Sequence, residues 1–111
     1  MTLDDYQKNA MAACSIPYDN KQDMLRHAVF GLASEAGEVA GILQKQYQGH
    51  PVDLVHLKKE LGDCLWMIAE ACTALSIDMN DVAQINLDKL KARFPNGFTT
   101  HNSINRAKGD I

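Results

Sequence analysis

A chain of 111 residues has the length of one ordinary domain and can bury a modest core of its own. Its hydrophobic fraction of 46% and charged fraction of 23% exclude a fibrous or intrinsically disordered protein. A net charge of −3 provides no broad basic field for binding a nucleic-acid backbone. A small anionic ligand would therefore need a few placed cations, together with a bound metal ion.

The cysteines and the N-terminal residues give information about the cellular compartment of the protein. Cys14, Cys64 and Cys72 form an odd set without the spacing of a zinc site, so a disulfide framework is not indicated. The opening MTLDDYQKNA is acidic and lacks the apolar core of a secretion signal. No stretch reaches the ~18 apolar residues that a membrane span needs. We therefore expect a soluble, cytoplasmic protein.

Helical periodicity runs through the chain between its three prolines. The predicted helices extend from about Leu3 to Cys14, from Lys21 to Tyr47, from a cap at Asp53 to about Leu75, and from Met79 or Asn80 to Phe94. In the second and third helices, apolar residues recur at spacings of three and four, as a core-facing helix requires. No segment sustains the alternation of a strand. Residues 99–111 are polar and unpatterned, which predicts a tail after an all-α, antiparallel bundle of about four helices.

The second predicted helix is rich in small residues. Gly31, Gly37 and Gly41 fall within eleven positions, although a glycine inside a helix costs up to ~1 kcal/mol relative to alanine. Either another backbone packs closely here or a ligand approaches, and the sequence favours neither.

Two pairs of carboxylates lie on the second and third helices. Glu35 and Glu38 are three residues apart, as are Glu60 and Asp63, so each pair lies on one helix face with Cβ atoms ~5–6 Å apart. If the two helices pack side by side, four carboxylates surround one point. Mg²⁺ prefers such oxygen ligands.

A single pair of this kind would more often belong to a solvated helix face. Glu60, however, shares its face with Met67, and Glu35 is in line with Ala28 and Val39, where core residues are expected. Like charges that face one another inside a fold need a counter-ion. A divalent cation is a more economical answer than several lysines.

Candidate side chains for binding phosphate lie elsewhere in the pattern. Lys45 follows Glu38 by two helical turns, and Asn86, Lys89 and Arg93 share one face of the last helix. Taken alone, Lys89 and Arg93 fit a solvated face. Beside a metal site they become clamps for phosphate oxygens.

Three segments in this order, GLASEAGEVAG, ELGDCLWMIAEAC and NLDKLKARFPNGF, resemble the MazG-like nucleotide pyrophosphohydrolases of the all-α NTP pyrophosphatase group. The ExxE and ExxD signature of that family is matched from Glu35 to Glu38 and from Glu60 to Asp63, with 21 residues between. The likeness extends from Thr2 to about Phe98, which gives a domain of residues 1–98.

The resemblance implies Mg²⁺-dependent hydrolysis of a nucleoside triphosphate to the monophosphate and pyrophosphate, with Mn²⁺ as an alternative ion. A water would attack the α-phosphorus, with a carboxylate as base. Glu38 is the first choice for that base or for a metal bridge, and Glu35 is the second catalytic candidate. The four carboxylates would bind the metal. The triphosphate ligands would be Lys45, Asn86, Lys89 and Arg93.

The resemblance also implies a homodimer or homotetramer, with the site lined from two chains, so that oligomerisation completes the bundle. Contacts to the base are less defined by the sequence. Trp66 can stack on a nucleobase or anchor a subunit interface, and the interface is favoured. His27 is favoured as a structural residue over a substrate contact. Gln7 and Tyr6 are candidates to approach the nucleotide from the first helix.

The same residues are compatible with other enzymes and with a function outside enzymology. Phosphoribosyl-ATP pyrophosphohydrolases and dimeric dUTPases share this helical scaffold, so their substrates stay open. A helical interaction module with merely solvating acidic pairs is the alternative outside enzymology. A di-iron bundle is excluded because no glutamate of the candidate set is followed by histidine three residues later.

Overall fold

The computed structural model describes residues 1–111 and is built from helices alone. It contains α1 Leu3–Ala10, α2 Lys21–Tyr47, α3 Leu54–Ala74, α4 Met79–Arg93 and α5 Thr100–Ile104, with a 3₁₀ turn at Met11–Ala13. The all-α prediction is confirmed. No helix combines the length and apolar character that crossing a membrane would require.

Local side chains set the starts of the long helices. Asn20 accepts a hydrogen bond from the Asp23 amide at the start of α2. Asp53 does the same for the amides of Val55 and His56, so α3 begins one residue after its predicted cap. A short polar side chain at this position satisfies amides that have no partner within the helix.

The structure differs from the predicted helices in two places. The first helix ends at Ala10 instead of Cys14, because the Met11 carbonyl accepts from the Cys14 amide and from the Tyr18 hydroxyl, at 3.1 and 2.8 Å. The bond from the Cys14 amide spans three residues and closes a 3₁₀ turn in place of another α-helical turn. The segment predicted as a tail contains α5, whose first turn is capped by the Thr99 hydroxyl.

The most extensive helix contact joins α2 to α3, which the short connection around Gly49 folds into a hairpin. Gly49 has φ +97°, a conformation that favours glycine. Gly31 marks a close approach within this hairpin, because a Cβ there would collide with Met67 Sδ. Gly37 and Gly41 face open space, so the expected close approach applies to one of the three glycines within the chain.

The remaining helices extend from this hairpin. α1 packs on α3, and α4 packs on α1 more than on any other helix. A small core of Met11, Ala69, Cys72 and Met79 lies where α1, the 3₁₀ turn, α3 and the start of α4 meet. The Asp4 carboxylate accepts from the Asn80 amide at 2.9 Å and fixes the start of α4 against α1.

A single chain leaves an unusually large surface uncovered. Its accessible surface is 8072 Å², whereas a folded monomer of this mass exposes about 6,100 Å². The radius of gyration is 16.9 Å, against about 13 Å for a compact domain of this length. Large apolar side chains lie in the open, among them Phe30 at 71% and Ile85 at 70% exposure. The chain therefore exposes apolar surface that a self-contained monomer would bury.

Candidate functional site

Three carboxylates from the α2–α3 hairpin converge on one point. Glu35 projects from α2, and Glu60 and Asp63 project from successive turns of α3. One oxygen from each side chain lies within 4.8 Å of the others, and all three residues are partly buried. Because the spacing of three places Glu60 and Asp63 on one face, the packing of α2 against α3 is enough to bring Glu35 to them.

The electrostatics of this carboxylate cluster show that the three acids crowd one another. Burial, followed by the charges of Asp63 and Glu60, raises the pKa of Glu35 above its ordinary value. A hydrogen bond with Glu60 and the charge of Glu38 act in the same direction. A divalent cation would remove this conflict, and partly buried carboxylate oxygens are suitable ligands for Mg²⁺. The donor set therefore fits the ion that the resemblance implies.

Glu38 lies one turn further along α2 and outside the group of three. Its side chain is exposed and lines a groove that it shares with Lys45, His50 and His56. Lys45 thus flanks the carboxylates on the side of Glu38. The structure brings these two residues to the edge of the cluster, with Glu38 still close enough for its charge to act on Glu35.

His56 is a member of this region that the sequence reasoning missed. Its Nε2 lies 3.2 Å from Glu60 Oε1, one helical turn away on α3. The signal was present in the sequence, because a spacing of four places His56 and Glu60 on the same face. An imidazole at this position orients the Glu60 carboxylate.

Asp63 also lines a groove of about 720 Å³ that lies along the contact between α1 and α3. Tyr6 and Asn9 line it from α1, and Lys59 and Trp66 line it from α3. Burial, and then the charge of Asp63, raises the pKa of Tyr6. The Trp66 Nε1–H is buried without a hydrogen-bond partner. Asn9 and Lys59 were not candidates from the sequence, since neither lies on a recognised motif.

His27 and Gln7 belong to hydrogen-bond networks within the fold. His27 Nδ1 lies 2.6 Å from an oxygen of Glu70, which is 0% exposed and also accepts from the Cys14 thiol at 3.1 Å. Burial, followed by this bond, raises the pKa of Cys14. The Gln7 side-chain amide donates to the Thr73 hydroxyl and to the Ile77 carbonyl between α3 and α4, and its oxygen accepts from the Met79 amide that starts α4. These contacts explain both residues structurally.

The candidates on α4 lie apart from the carboxylate cluster within one chain. Asn86 is exposed, whereas Lys89 and Arg93 line a groove formed by α4 and residues after Phe98. No residue of α2 or α3 lines this groove. Arg93 donates two hydrogen bonds to Asp110, and Lys89 donates to the main-chain oxygen of Ile111.

Comparison with known proteins identifies the family of the chain. A model of the MazG nucleotide pyrophosphohydrolase domain matches residues 25–98, a span that holds the whole carboxylate cluster and α4. The "Gene 37 protein" of Mycobacterium phage L5 is 30% identical over 114 residues, which cover 96% of this chain and 100% of that relative. No solved structure gives a significant match. The chain therefore belongs to the MazG nucleotide pyrophosphohydrolase family.

Proposed function

We propose that this protein is a Mg²⁺-dependent pyrophosphohydrolase that converts a nucleoside or deoxynucleoside triphosphate and water into the monophosphate and pyrophosphate. The observation that carries the proposal is the convergence of Glu35, Glu60 and Asp63 within 4.8 Å, with a raised pKa at Glu35. Such a cluster is unfavourable without a counter-ion, and family membership identifies the phosphate chemistry that a bound ion would serve.

Glu35, Glu60 and Asp63 would hold the ion, and His56 would keep the Glu60 carboxylate oriented. Bound there, Mg²⁺ would supply a Lewis acid that neutralises charge on the phosphate oxygens. Mn²⁺ has the same preference for oxygen ligands and would substitute for it.

Glu38 acts as the base in this proposal. It lies next to the cluster but outside the group of three, so its carboxylate is free to accept a proton from the attacking water. The water oxygen forms a bond to the α-phosphorus while the bond from that phosphorus to the bridging oxygen breaks. Pyrophosphate leaves on the bridging oxygen. Lys45, on the same groove as Glu38, stabilises the negative charge of the phosphates.

The groove beside Asp63 is the proposed position of the nucleoside. Its volume of about 720 Å³ is within the range of small-ligand sites, ~300–1,000 Å³. Trp66 and Tyr6 offer aromatic surface for a base, and Asn9 offers an amide that can donate and accept hydrogen bonds. Support for this position is its direct contact with Asp63, a member of the cluster.

The active form is proposed to be a homodimer or homotetramer. The chain exposes about 2,000 Å² more than a compact monomer of its mass, and standard interfaces bury about 800 Å² per partner. A second copy would cover the exposed apolar faces. It would also offer a route for Asn86, Lys89 and Arg93 to approach carboxylates from which they are separate within one chain.

The deciding experiment is a substrate panel with identified products. The protein is incubated with Mg²⁺ and each of the common triphosphates, oxidised and deaminated triphosphates, dUTP and phosphoribosyl-ATP. We expect a monophosphate and pyrophosphate from one or more of the triphosphates. Turnover of phosphoribosyl-ATP or dUTP alone would favour the alternative enzymes on this scaffold. Orthophosphate as product would contradict attack at the α-phosphorus.

The absence of any turnover would favour an interaction module. A module would also show no rise in melting temperature when Mg²⁺ is added, whereas a protein that binds the ion in its folded state is stabilised. Glu35→Gln is the matched variant for this measurement, because it removes one carboxylate from the cluster at constant side-chain size.

A further inference from the structure

A histidine and a glutamate lie one turn apart on one face of α3, close to the start of the helix. His56 Nε2 is 3.2 Å from Glu60 Oε1. The His56 side chain is 55% exposed and that of Glu60 is 17% exposed, so an ion can reach the pair from solvent. Metal-binding helices use the same spacing of four residues, because it places two ligands on one face.

The distance between these two atoms is compatible with coordination of one zinc ion. Zinc lies about 2.0–2.1 Å from an imidazole nitrogen and about 2.0–2.2 Å from a carboxylate oxygen. From these lengths, the two ligands are about 3.3–3.5 Å apart on a tetrahedral ion and about 2.8–3.0 Å apart on an octahedral ion. The observed 3.2 Å lies between the two ranges. A shared ion can therefore replace the hydrogen bond of the metal-free pair without a large movement.

A second imidazole lies in the same region. His50 belongs to the connection between α2 and α3, and it lines with His56 the groove of about 430 Å³ that also contains Glu38. The His50 amide donates to the Lys45 carbonyl at 3.0 Å, which holds the main chain. The His50 side chain is exposed and makes no hydrogen bond, so it can turn toward His56 without breaking a contact. The groove thus offers two nitrogen ligands, and one of them already contacts Glu60.

This donor set differs in chemistry from the carboxylate cluster. Glu35, Glu60 and Asp63 offer oxygen alone, which suits Mg²⁺. Two histidines and one glutamate are instead a combination that binds Zn²⁺ and leaves a fourth position for water. Imidazole nitrogen favours zinc over magnesium. Since a carboxylate has two oxygens, Glu60 can serve both sets.

We propose that His50, His56 and Glu60 form a second cation site, which binds Zn²⁺ in preference to Mg²⁺ and meets the carboxylate cluster at Glu60. Asp53 is not part of the set, because its Oδ1 accepts from the amides that start α3. The site depends only on the positions of three side chains and is therefore independent of the proposed function. It predicts that zinc is retained when Mg²⁺ is in excess.

The test is a calorimetric titration of Zn²⁺ into the metal-free protein, without chelator and with Mg²⁺ in excess. We expect one zinc ion per chain. His56→Gln should weaken zinc binding more than about 100-fold, because loss of a residue that only orients a ligand already costs about 10–100-fold. His50→Gln should weaken zinc binding at least about tenfold and leave Mg²⁺ affinity unchanged. Displacement of zinc by Mg²⁺, or full zinc affinity in His56→Gln, would overturn the proposal.

Two variants serve as controls. His101→Gln removes an imidazole from α5, outside the groove, and should keep full zinc affinity. An equal loss in His101→Gln and His56→Gln would reduce the effect to nonspecific binding and overturn the site. Asp63→Asn should weaken Mg²⁺ binding and spare zinc, because Asp63 is a member of the carboxylate cluster and not of the proposed zinc site. Parallel losses of both ions in Asp63→Asn would contradict a separate zinc site.

X-ray absorption at the zinc edge of the loaded wild-type protein identifies the ligands without any variant. We expect two imidazoles together with oxygen ligands. A sulfur ligand at about 2.3 Å would place the zinc on a cysteine, and a shell of oxygen alone would place it in the carboxylate cluster, so either result would overturn the proposal. If zinc binds as expected but no nucleotide is hydrolysed, the zinc site stands and the proposed function fails. If nucleotides are hydrolysed and the zinc has no imidazole ligand, the zinc site alone fails.

Discussion

Replacing Glu38 by glutamine separates the proposed base from the metal ligands. The variant keeps the length and hydrogen-bonding shape of the side chain and removes its ability to take a proton. A general base contributes about 10²–10⁴-fold to a rate, so we expect kcat to fall by that factor. Glu38 is exposed and lies outside the group of three that converge within 4.8 Å, so apparent Mg²⁺ affinity should stay within about threefold of the wild type.

The same structure predicts the effect of this variant on folding. The charge of Glu38 is one of the influences that raise the pKa of Glu35, so its removal relieves repulsion within the cluster. Glu38 has no hydrogen-bond partner in the structure whose loss would offset this relief. The melting temperature without metal should therefore be equal to or slightly above that of the wild type. Unfolding of the variant would show that Glu38 has a structural role.

The assay is a pyrophosphate-release measurement over a range of Mg²⁺ concentrations, with Glu35→Gln as the comparison. Glu35→Gln should require a much higher Mg²⁺ concentration, because it replaces one of the three converging carboxylates by a neutral amide. A Glu38→Gln variant with full activity would refute the reasoning. A variant whose activity is restored by excess Mg²⁺ would make Glu38 a metal ligand instead of a base.

Three further predictions concern stability. Glu70→Ala should lower the free energy of unfolding, measured in urea, by about 2–3 kcal/mol. Breaking a fully buried ion pair costs ~3–5 kcal/mol, and the loss should be smaller here because the partner, His27, is half-exposed. A loss under about 0.5 kcal/mol would contradict a stabilising role for the buried Glu70 carboxylate. Gly31→Ala should be less stable than Gly37→Ala by about 1–2 kcal/mol, because only the first new Cβ meets Met67; equal stability would show that Met67 moves freely. The pKa of Glu35 is raised above its ordinary value of 4.5, so above that pH the folded state binds more protons than the unfolded state. The contribution of Glu35 to the stability of the metal-free protein should therefore fall as the pH rises through the raised pKa. Thermal melts at stepped pH check this prediction, and Glu35→Gln should flatten the slope; an identical slope in the variant would assign the effect elsewhere.

Helix positions were largely predictable because their causes are local. The start of α2 after Asn20 and of α3 after Asp53 follows from one capping side chain, and the apolar repeat continues from each cap. Breaks in that pattern were not predictable. The α1 helix ends early at a 3₁₀ turn, where the Met11 carbonyl accepts from the Cys14 amide and from the Tyr18 hydroxyl, and no periodicity encodes the contact with Tyr18.

In the candidate site, too, local spacing was predictable and the contacts between helices were not. By itself, the sequence determined that each carboxylate pair shares one face of a helix, since that depends only on a spacing of three. Which oxygens meet depends on how α2 packs against α3, and only the tertiary structure brought Glu35 to Asp63 while leaving Glu38 at the edge. Likewise, the pairing of Arg93 with Asp110 joins residues 17 positions apart, across a turn and a short helix. Contacts of that range are set by packing, and packing is a property of the whole chain.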